Sequence, residues 1–477
     1  MSSAQLAFAI KSVRIHERPV ELRLPFKFGS AAVRRTAQAF AAIIVETADG
    51  RRATGHSAQL MVPRWFNKAP GLTNEDTVEE LRESVAQARQ AVRGASNTAS
   101  AAAHAADCRA GVEAAMTGGG TPRLAAGFGP ALLEMALIDA ACRLAGLPFD
   151  TALNADIFGL TDHCPDDLSQ DALLHRLRKA RLPRSIFLRH TVGQDAPLYE
   201  RELGPGAPED GLPVALETVI ASQGVRYFKI KLNGDLDEDV GRLERLSAFL
   251  GERCPDYRAT LDANEQYDLD AFAGLAARLA GDAALKLFAE RMLFVEQPFA
   301  RDVALGHDGI ADLLRRTGLP VIIDESDESL DSFPRALELG YAGTSVKSCK
   351  GVFRALINAA RADQHRAAGR TAQLSAEDLT CQPGLCIQQD LAMAGVCGAT
   401  HIERNGHHFV AGMAGAPEEE VAAYLDRHGD LYRPFGDGDA TLDIIDGTLS
   451  LGSLATPGFG SAVTPQFDPY ASQETSE

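Results

Sequence analysis

Residues 227–264, YFKIKLNGDLDEDVGRLERLSAFLGERCPDYRATLDAN, decide the fold. Two short β-type runs, YFKIKL (227–232) and RATLDAN (258–264), flank DVGRLERLSAFLGER, whose apolar residues recur at helical spacing. Strand, helix, strand is one βα unit. The same alternation runs outward in both directions. Six further runs follow the pattern: SIFLRHT (185–191), LFVEQP (293–298), VIIDES (321–326), GTSVKS (343–348), TAQLSA (371–376) and ATHIER (399–404). Stretches between them, such as DLDAFAGLAARLAG (268–281), have helical period. Eight strands alternating with helices over about residues 185–410 predict an α/β chain built on a (β/α)8 TIM-type barrel. An open doubly wound sheet would normally carry a glycine-rich phosphate turn after its first strand, and neither GxGxxG nor GxxxxGK[ST] occurs.

Upstream, residues 5–62 read as strands, with β patterns at Leu6–Ile15 and Phe40–Glu46 and a hairpin turn at Thr47-Ala48-Asp49-Gly50. Glu75 to Val92 reads as a helix with acids in its first turn. Residues 94–130 are rich in Ala, Gly and Ser, with a helix expected over Ala101–Met116 and a break at Gly118-Gly119-Gly120. Pro130–Leu147 reads as an amphipathic helix stopped by Gly146 and Pro148. Residues 150–184 read as irregular and polar around a short helix near Asp171–Arg181, and the tail after about Ser461 as frayed.

Composition narrows the function. The chain has 477 residues, 45% of them apolar, enough for a large core. Its 47 Lys and Arg against 65 Asp and Glu give a net charge of −18. Such a surface repels nucleic-acid phosphates and anionic lipid, so neither is an expected partner. Eight cysteines show no framework spacing, and Cys381 and Cys386 make only a CxxxxC, as suits a reducing compartment. No apolar run of about 18 residues and no signal-peptide pattern is read, so the cytoplasm is the expected location.

In barrels of this type the active site lies at the C-terminal ends of the strands. The polar residues there are Lys229 and Lys231, Asp262 and Asn264, Glu296, Asp324 followed by Glu325, and Lys347. Three carboxylates from adjacent strands repel one another unless a cation lies between them. Oxygen ligands select a hard ion such as Mg2+, which keeps positions open for water or a carboxylate substrate. Lysines on both sides of that group suggest removal of an α-proton, with the metal stabilising an enediolate. Lys229, two residues from Lys231, and a nearby cation would both disfavour an ammonium. Each piece has a plainer reading, since a strand-end Asp is often a helix cap and KIK a solvated edge. Five consecutive strands delivering K, D, E, D and K favour the functional one.

The array K-I-K (229–231), L-D-A-N (261–264), V-E-Q-P (295–298), D-E-S (324–326) and S-V-K-S-C-K-G (345–351) resembles the enolase superfamily, within it the muconate lactonizing enzyme-like subgroup. ALLEMALIDAACRLAGLP (131–148) is similar to the helix leading into that family's barrel. The resemblance implies metal ligands at Asp262, Glu296 and Asp324, acid/base lysines at Lys231 and Lys347, and a helper lysine at Lys229. It places Asn264 and Lys350 in supporting positions around them. It also implies a capping α+β domain over residues 1–130, a linking helix with an extra segment over 131–184, the barrel over 185–410, and a C-terminal segment, 411–477, returning to the cap. Two cap loops, Leu24–Ser30 and Gly55–Pro70, would close over the site, with Phe26, Lys27, Trp65 and Phe66 as substrate contacts. A homo-oligomer and a small carboxylate substrate are further implications.

Departures sharpen the expectation. The last strand ends HIERNGHHF, without the D-x-D with which dipeptide epimerases of the family hold an ammonium group. The His–Asp dyad of the mandelate racemase pattern is also missing. Glu403 is a candidate substrate contact, and Glu377, Asp378 and Arg404 read as surface-loop residues as readily as substrate contacts. His407-His408 lacks a third ligand of suitable spacing for zinc. Three functions follow: racemisation or epimerisation using both lysines, cycloisomerisation or β-elimination using one, and a non-catalytic ligand-binding barrel, against which the intact array argues.

Overall fold

The computed structural model describes residues 5–28, 31–93, 97–379, 381–413 and 415–467. The N-terminal part is an antiparallel sheet of β1 (Ala7–Phe28), β2 (Ala31–Glu46), β3 (Arg52–Leu60) and β4 (Ala99–Ser100), in the order β3-β2-β1-β4. The Thr47–Gly50 turn closes the β2–β3 hairpin, where Gly50 accepts φ +83°. Leu24–Phe28, expected as a loop, is instead the end of β1, paired Phe26 to Val33. Ser30 of that expected loop lies outside the described residues.

Three helices cover this sheet: Asn74–Arg93, Ala101–Met116 and Phe128–Ala145. The last was expected to be amphipathic, yet every residue from Phe128 to Cys142 is buried. As far as Cys142 it is enclosed by β3 on one side and by the helices Asn74–Arg93 and Ala101–Met116 on others, so no face of this stretch meets water. Its contact with the sheet requires a glycine. A Cβ on Gly55 would fall 2.0 Å from the Ala136 carbonyl oxygen. With the turn before it, Arg123–Ala145 is long and apolar enough to cross a membrane, but its apolar stretch is buried inside the protein as a core helix.

The barrel follows. Strands β5 (Ser185–Val192), β6 (Tyr227–Lys231), β7 (Arg258–Asp262), β8 (Met292–Glu296), β9 (Val321–Ile323), β10 (Gly343–Val346), β11 (Gln373–Ala376) and β12 (His401–Arg404) pair in parallel in chain order. Pairing of β12 with β5, Glu403 opposite Arg189, closes the cylinder. Two of the helices between strands start at aspartate caps. Asp235 accepts hydrogen bonds from the backbone of Asp237 and Glu238, and Asp268 from that of Ala271.

Residues 150–184 contain the expected short helix, at Gln170–Lys179, which packs on the barrel helix Val352–Ala367. Beyond the barrel, β13 (Tyr432–Phe435) and β14 (Asp439–Leu442) form a hairpin, and β15 (Thr448–Ser450) adds antiparallel to β5. The tail is ordered against the cap as far as residue 467. Phe467 stacks on His16 of β1 at 4.1 Å, and the Gln466 N–H donates to Glu420. The rest of the tail expected to fray, from 468, lies outside the described residues.

Candidate active site

Parallel register sets the site. Lys231, Asp262 and Glu296 stand at one level on β6, β7 and β8, where strand pairing matches Lys231 to Asp262 and Asp262 to Glu296. Side chains on one face of a strand are two residues apart, so Lys229 lies one layer deeper, opposite Thr191 of β5. Asp324 follows β9 and Lys347 follows β10. All six are at most 4% exposed.

Lys229 is the hub. Its Nζ lies 2.9 Å from Asp262, 2.8 Å from Glu296, 2.8 Å from Glu377 and 2.9 Å from Glu403. Lys231 donates to Asp262 Oδ2 at 2.6 Å and to Asn264 Oδ1 at 2.9 Å. Lys347 donates to Asp324 Oδ2 at 2.6 Å. Lys350 lies 3.0 Å from Asp324 Oδ1 and donates to Ser345 Oγ at 2.7 Å, and Ser345 in turn donates to Asp324. The array therefore runs Lys231–Asp262, Glu296, Asp324–Lys347, with Lys229 beneath and Lys350 behind.

Burial works against charge on Lys229, but the four surrounding carboxylates overcome it and hold its pKa well above the ordinary lysine value. Lys347 is raised in the same way: burial opposes its charge, and Asp324 chiefly outweighs it. Acids outnumber amines at the hub, and that sets the direction for both lysines. Among the acids, Asp324 is held well below the usual range against its burial by Lys347, Lys350 and Lys229. Glu296 goes the other way. Burial and the neighbouring Asp262 and Glu377 push it well up, more than Lys229 offsets. Its Oε2 has no hydrogen-bond partner of good geometry.

Among the described residues no three acid, histidine or cysteine side chains already surround one point as metal ligands, and Asp262, Glu296 and Asp324 are each turned to an ammonium. Their chemistry nevertheless suits a hard divalent cation. The donors are buried oxygens from three successive strands, and a negative charge on Glu296, which its neighbours disfavour, would be relieved by such an ion.

The cap supplies a roof. The Phe26 ring centroid is 5.8 Å from Lys231 Nζ, and that of Trp65 is 4.5 Å from Lys347 Nζ. Two expected contacts are absent from the site. Lys27 is 47% exposed and pairs with Asp195, because strand alternation that turns Phe26 inward turns Lys27 out. Phe66 backs Trp65 and packs edge-on against Phe128, so it supports the roof from behind.

Glu403 lies in the site, and Glu377 joins it through Lys229 and Arg189. Glu377, Asp378 and Arg404 are buried rather than surface-loop residues. Arg404 points outward from β12 to pair with Asp378 and Asp390. His407 and His408 pack against the ring of His190. Two further side chains of the site are Arg189 and Thr191, absent from the expected set, which pair with Glu377 and Glu403. They alternate inward on the first strand, which is the signal that would have found them. Lys68, 3.0 Å from Glu325, is likewise outside the expected set.

A closed (β/α)8 barrel with acids and lysines at its mouth under an α+β cap defines the class. Residues 213–466 match the model of the enolase C-terminal domain-like family, more than half of the chain, and the chain belongs to that family. It is 29% identical over 194 residues to an o-succinylbenzoate synthase of Geobacillus stearothermophilus, covering 37% of this chain and 46% of that protein. It is 33% identical over 119 residues to an N-succinylamino acid racemase of Thermus thermophilus, covering 25% and 27%. The chain thus spans less than half the length of these curated relatives. In fold it is similar to an enolase from Bradyrhizobium complexed with magnesium and mandelic acid, with a TM-score of 0.59 and 19% identity over 96% of this chain and 97% of that one.

Proposed function

We propose that this chain is a divalent-metal-dependent enzyme that racemises or epimerises a carboxylate substrate, one of Lys231 and Lys347 taking the α-proton and the other giving its own proton to the opposite face of the α-carbon. One observation carries the reading: the two lysines stand at opposite ends of the acid array, one on Asp262 and the other on Asp324, each beneath an aromatic ring of the cap. One lysine holds a proton while the other receives one, so the pair works from opposite protonation states. Asn264 orients the Lys231 side chain by accepting from its Nζ, and Lys350 with Ser345 fixes Asp324 behind Lys347. Phe26 and Trp65 exclude water from both amines. Asp262, Glu296 and Asp324 would hold the cation, Mg2+ by donor type. When bound, that cation supplies Lewis-acid polarisation of a carboxylate and offsets the charge left when an α-proton departs.

The racemase relative supports this reading and suggests N-acyl amino acids as substrates. The synthase relative supports a second one, cycloisomerisation or β-elimination of a carboxylate with a single lysine as base. The missing D-x-D on the last strand argues against dipeptides.

The test is proton exchange. In D2O with Mg2+ and a set of N-succinylamino acids and other carboxylates bearing an α-hydrogen, deuterium is expected at the α-carbon, read by NMR. No exchange with any of them, from protein that binds Mg2+, overturns the proposal. The metal assignment has its own test. Asp324→Asn should weaken Mg2+ binding by more than about a hundredfold in calorimetric titration, with an unchanged circular dichroism spectrum. Unchanged affinity removes Asp324 from the ligand set.

A further inference from the structure

The loop carrying Trp65 is tied to the barrel mouth by a network that the proposed chemistry does not use. Arg301, at the start of the turn after β8, donates to two carbonyl oxygens of that loop, Nη1 to Phe66 at 2.9 Å and Nη2 to Trp65 at 3.1 Å. The same guanidinium grips Glu265 with both arms, Nε to Oε1 at 2.9 Å and Nη2 to Oε2 at 2.8 Å. Lys68, on the loop, returns to Glu265 at 2.6 Å and to Glu325 at 3.0 Å, and donates to the Asn264 carbonyl at 3.1 Å. Inside the loop, Arg64 folds back onto the carbonyls of Ala69 and Leu72.

The geometry is specific to these residue types. A planar fork can serve two carbonyls and a bidentate carboxylate at once, and a lysine cannot. Glu265 itself sits at φ +71°, after Asn264 at φ +44°. Such backbone is unfavourable for a glutamate and persists where its surroundings fix it. Here Arg301 and Lys68 fix it, and they hold its carboxyl below the usual range against its burial.

We propose that Arg301, Glu265 and Lys68 form a latch that positions Trp65 over Lys347, coupling the seating of the cap loop to the surroundings of that lysine. They are positioning residues, acting through Trp65. The importance of Lys347 rests on the proposed function, while the latch itself does not.

The chain has a single tryptophan, so its fluorescence reports this loop alone. Trp65 is 3% exposed and should emit at short wavelength and resist acrylamide. In the full-length protein without substrate, Arg301→Lys, which keeps the charge but loses the fork, should shift the emission to the red and raise the acrylamide quenching constant severalfold. Lost charge-assisted hydrogen bonds of this kind correspond to about a tenfold or greater rise in the open population. Glu265→Gln and Lys68→Met should move both signals in the same direction. Arg315→Met, which breaks only the exposed pair with Asp312, should move neither. Hydrogen exchange should quicken over residues 61–72 and nowhere else. Unchanged quenching in Arg301→Lys and Glu265→Gln overturns the latch, and so does faster exchange across the whole barrel. Where α-proton exchange is found, Arg301→Lys should slow the Lys347-dependent direction more than the other. Absence of all exchange bears on the proposed function and leaves the fluorescence result intact.

Discussion

Lys231→Ala and Lys347→Ala are each expected to lower stereoisomer interconversion by about 10²–10⁴-fold, the usual worth of a positioned acid or base. Each variant should still exchange the α-proton of one stereoisomer and lose that of the other, and the two losses should be complementary. The reason is positional. Lys231 stands with Asp262 and Lys347 with Asp324, so a substrate carbon between them presents one face to each amine. Removing one amine leaves the opposite face served. The folds should survive, because each orphaned acid keeps a cation: Lys229 remains on Asp262, and Lys350 remains on Asp324. Chiral chromatography gives interconversion, and NMR in D2O gives the exchange of each stereoisomer. If one substitution abolishes all turnover and the other is silent, the single-base reaction, cycloisomerisation or elimination, is the correct reading.

The barrel and the core of its mouth were legible for a local reason. In a parallel barrel the functional residue ends each strand, so chemistry recurs once per βα unit, and Lys231, Asp262, Glu296, Asp324 and Lys347 fall at that interval. What closes the cylinder was not legible in the same way. Glu377 and Glu403 meet Lys229 and the first strand through pairings that span more than half of the barrel, and no local spacing encodes them. The full ion-pair shell of Lys229 is hidden with them, since two of its four acids come from these late strands. The cap was misread where turn-like residues hid a strand. LPFKF follows period-two alternation, which separates an inward Phe26 from an outward Lys27 once β1 is seen to continue to Phe28. For the helix Phe128–Ala145 the sequence suggests amphipathicity, because enclosure of its Phe128–Cys142 stretch is a property of its neighbours.

The largest stability change expected from one side chain is that of Lys229→Met. Methionine fills similar volume and is not itself harmed by burial. The damage comes from what it leaves. Glu296 and Glu403 meet no ammonium other than Lys229 within ion-pair distance among the described residues, and both are at most 1% exposed. Breaking a buried pair by removing one partner costs about 3–5 kcal/mol, since the remaining charge has neither water nor a counter-ion. A thermal midpoint about 5–10 °C lower follows at this scale for a large domain. Lys27→Met is the matched control. Its pair with Asp195 is exposed, and such pairs are worth about 0–1 kcal/mol. Added Mg2+ should raise the midpoint of Lys229→Met more than that of the parent, because a cation bound by the folded acids alone stabilises the state that most needs charge relief. Calorimetric scans of parent, Lys229→Met and Lys27→Met, with and without Mg2+, read all of these at once. Equal midpoints for Lys229→Met and the parent would mean that the acids share protons instead of leaning on Lys229, and that this lysine is not what holds the mouth of the barrel together.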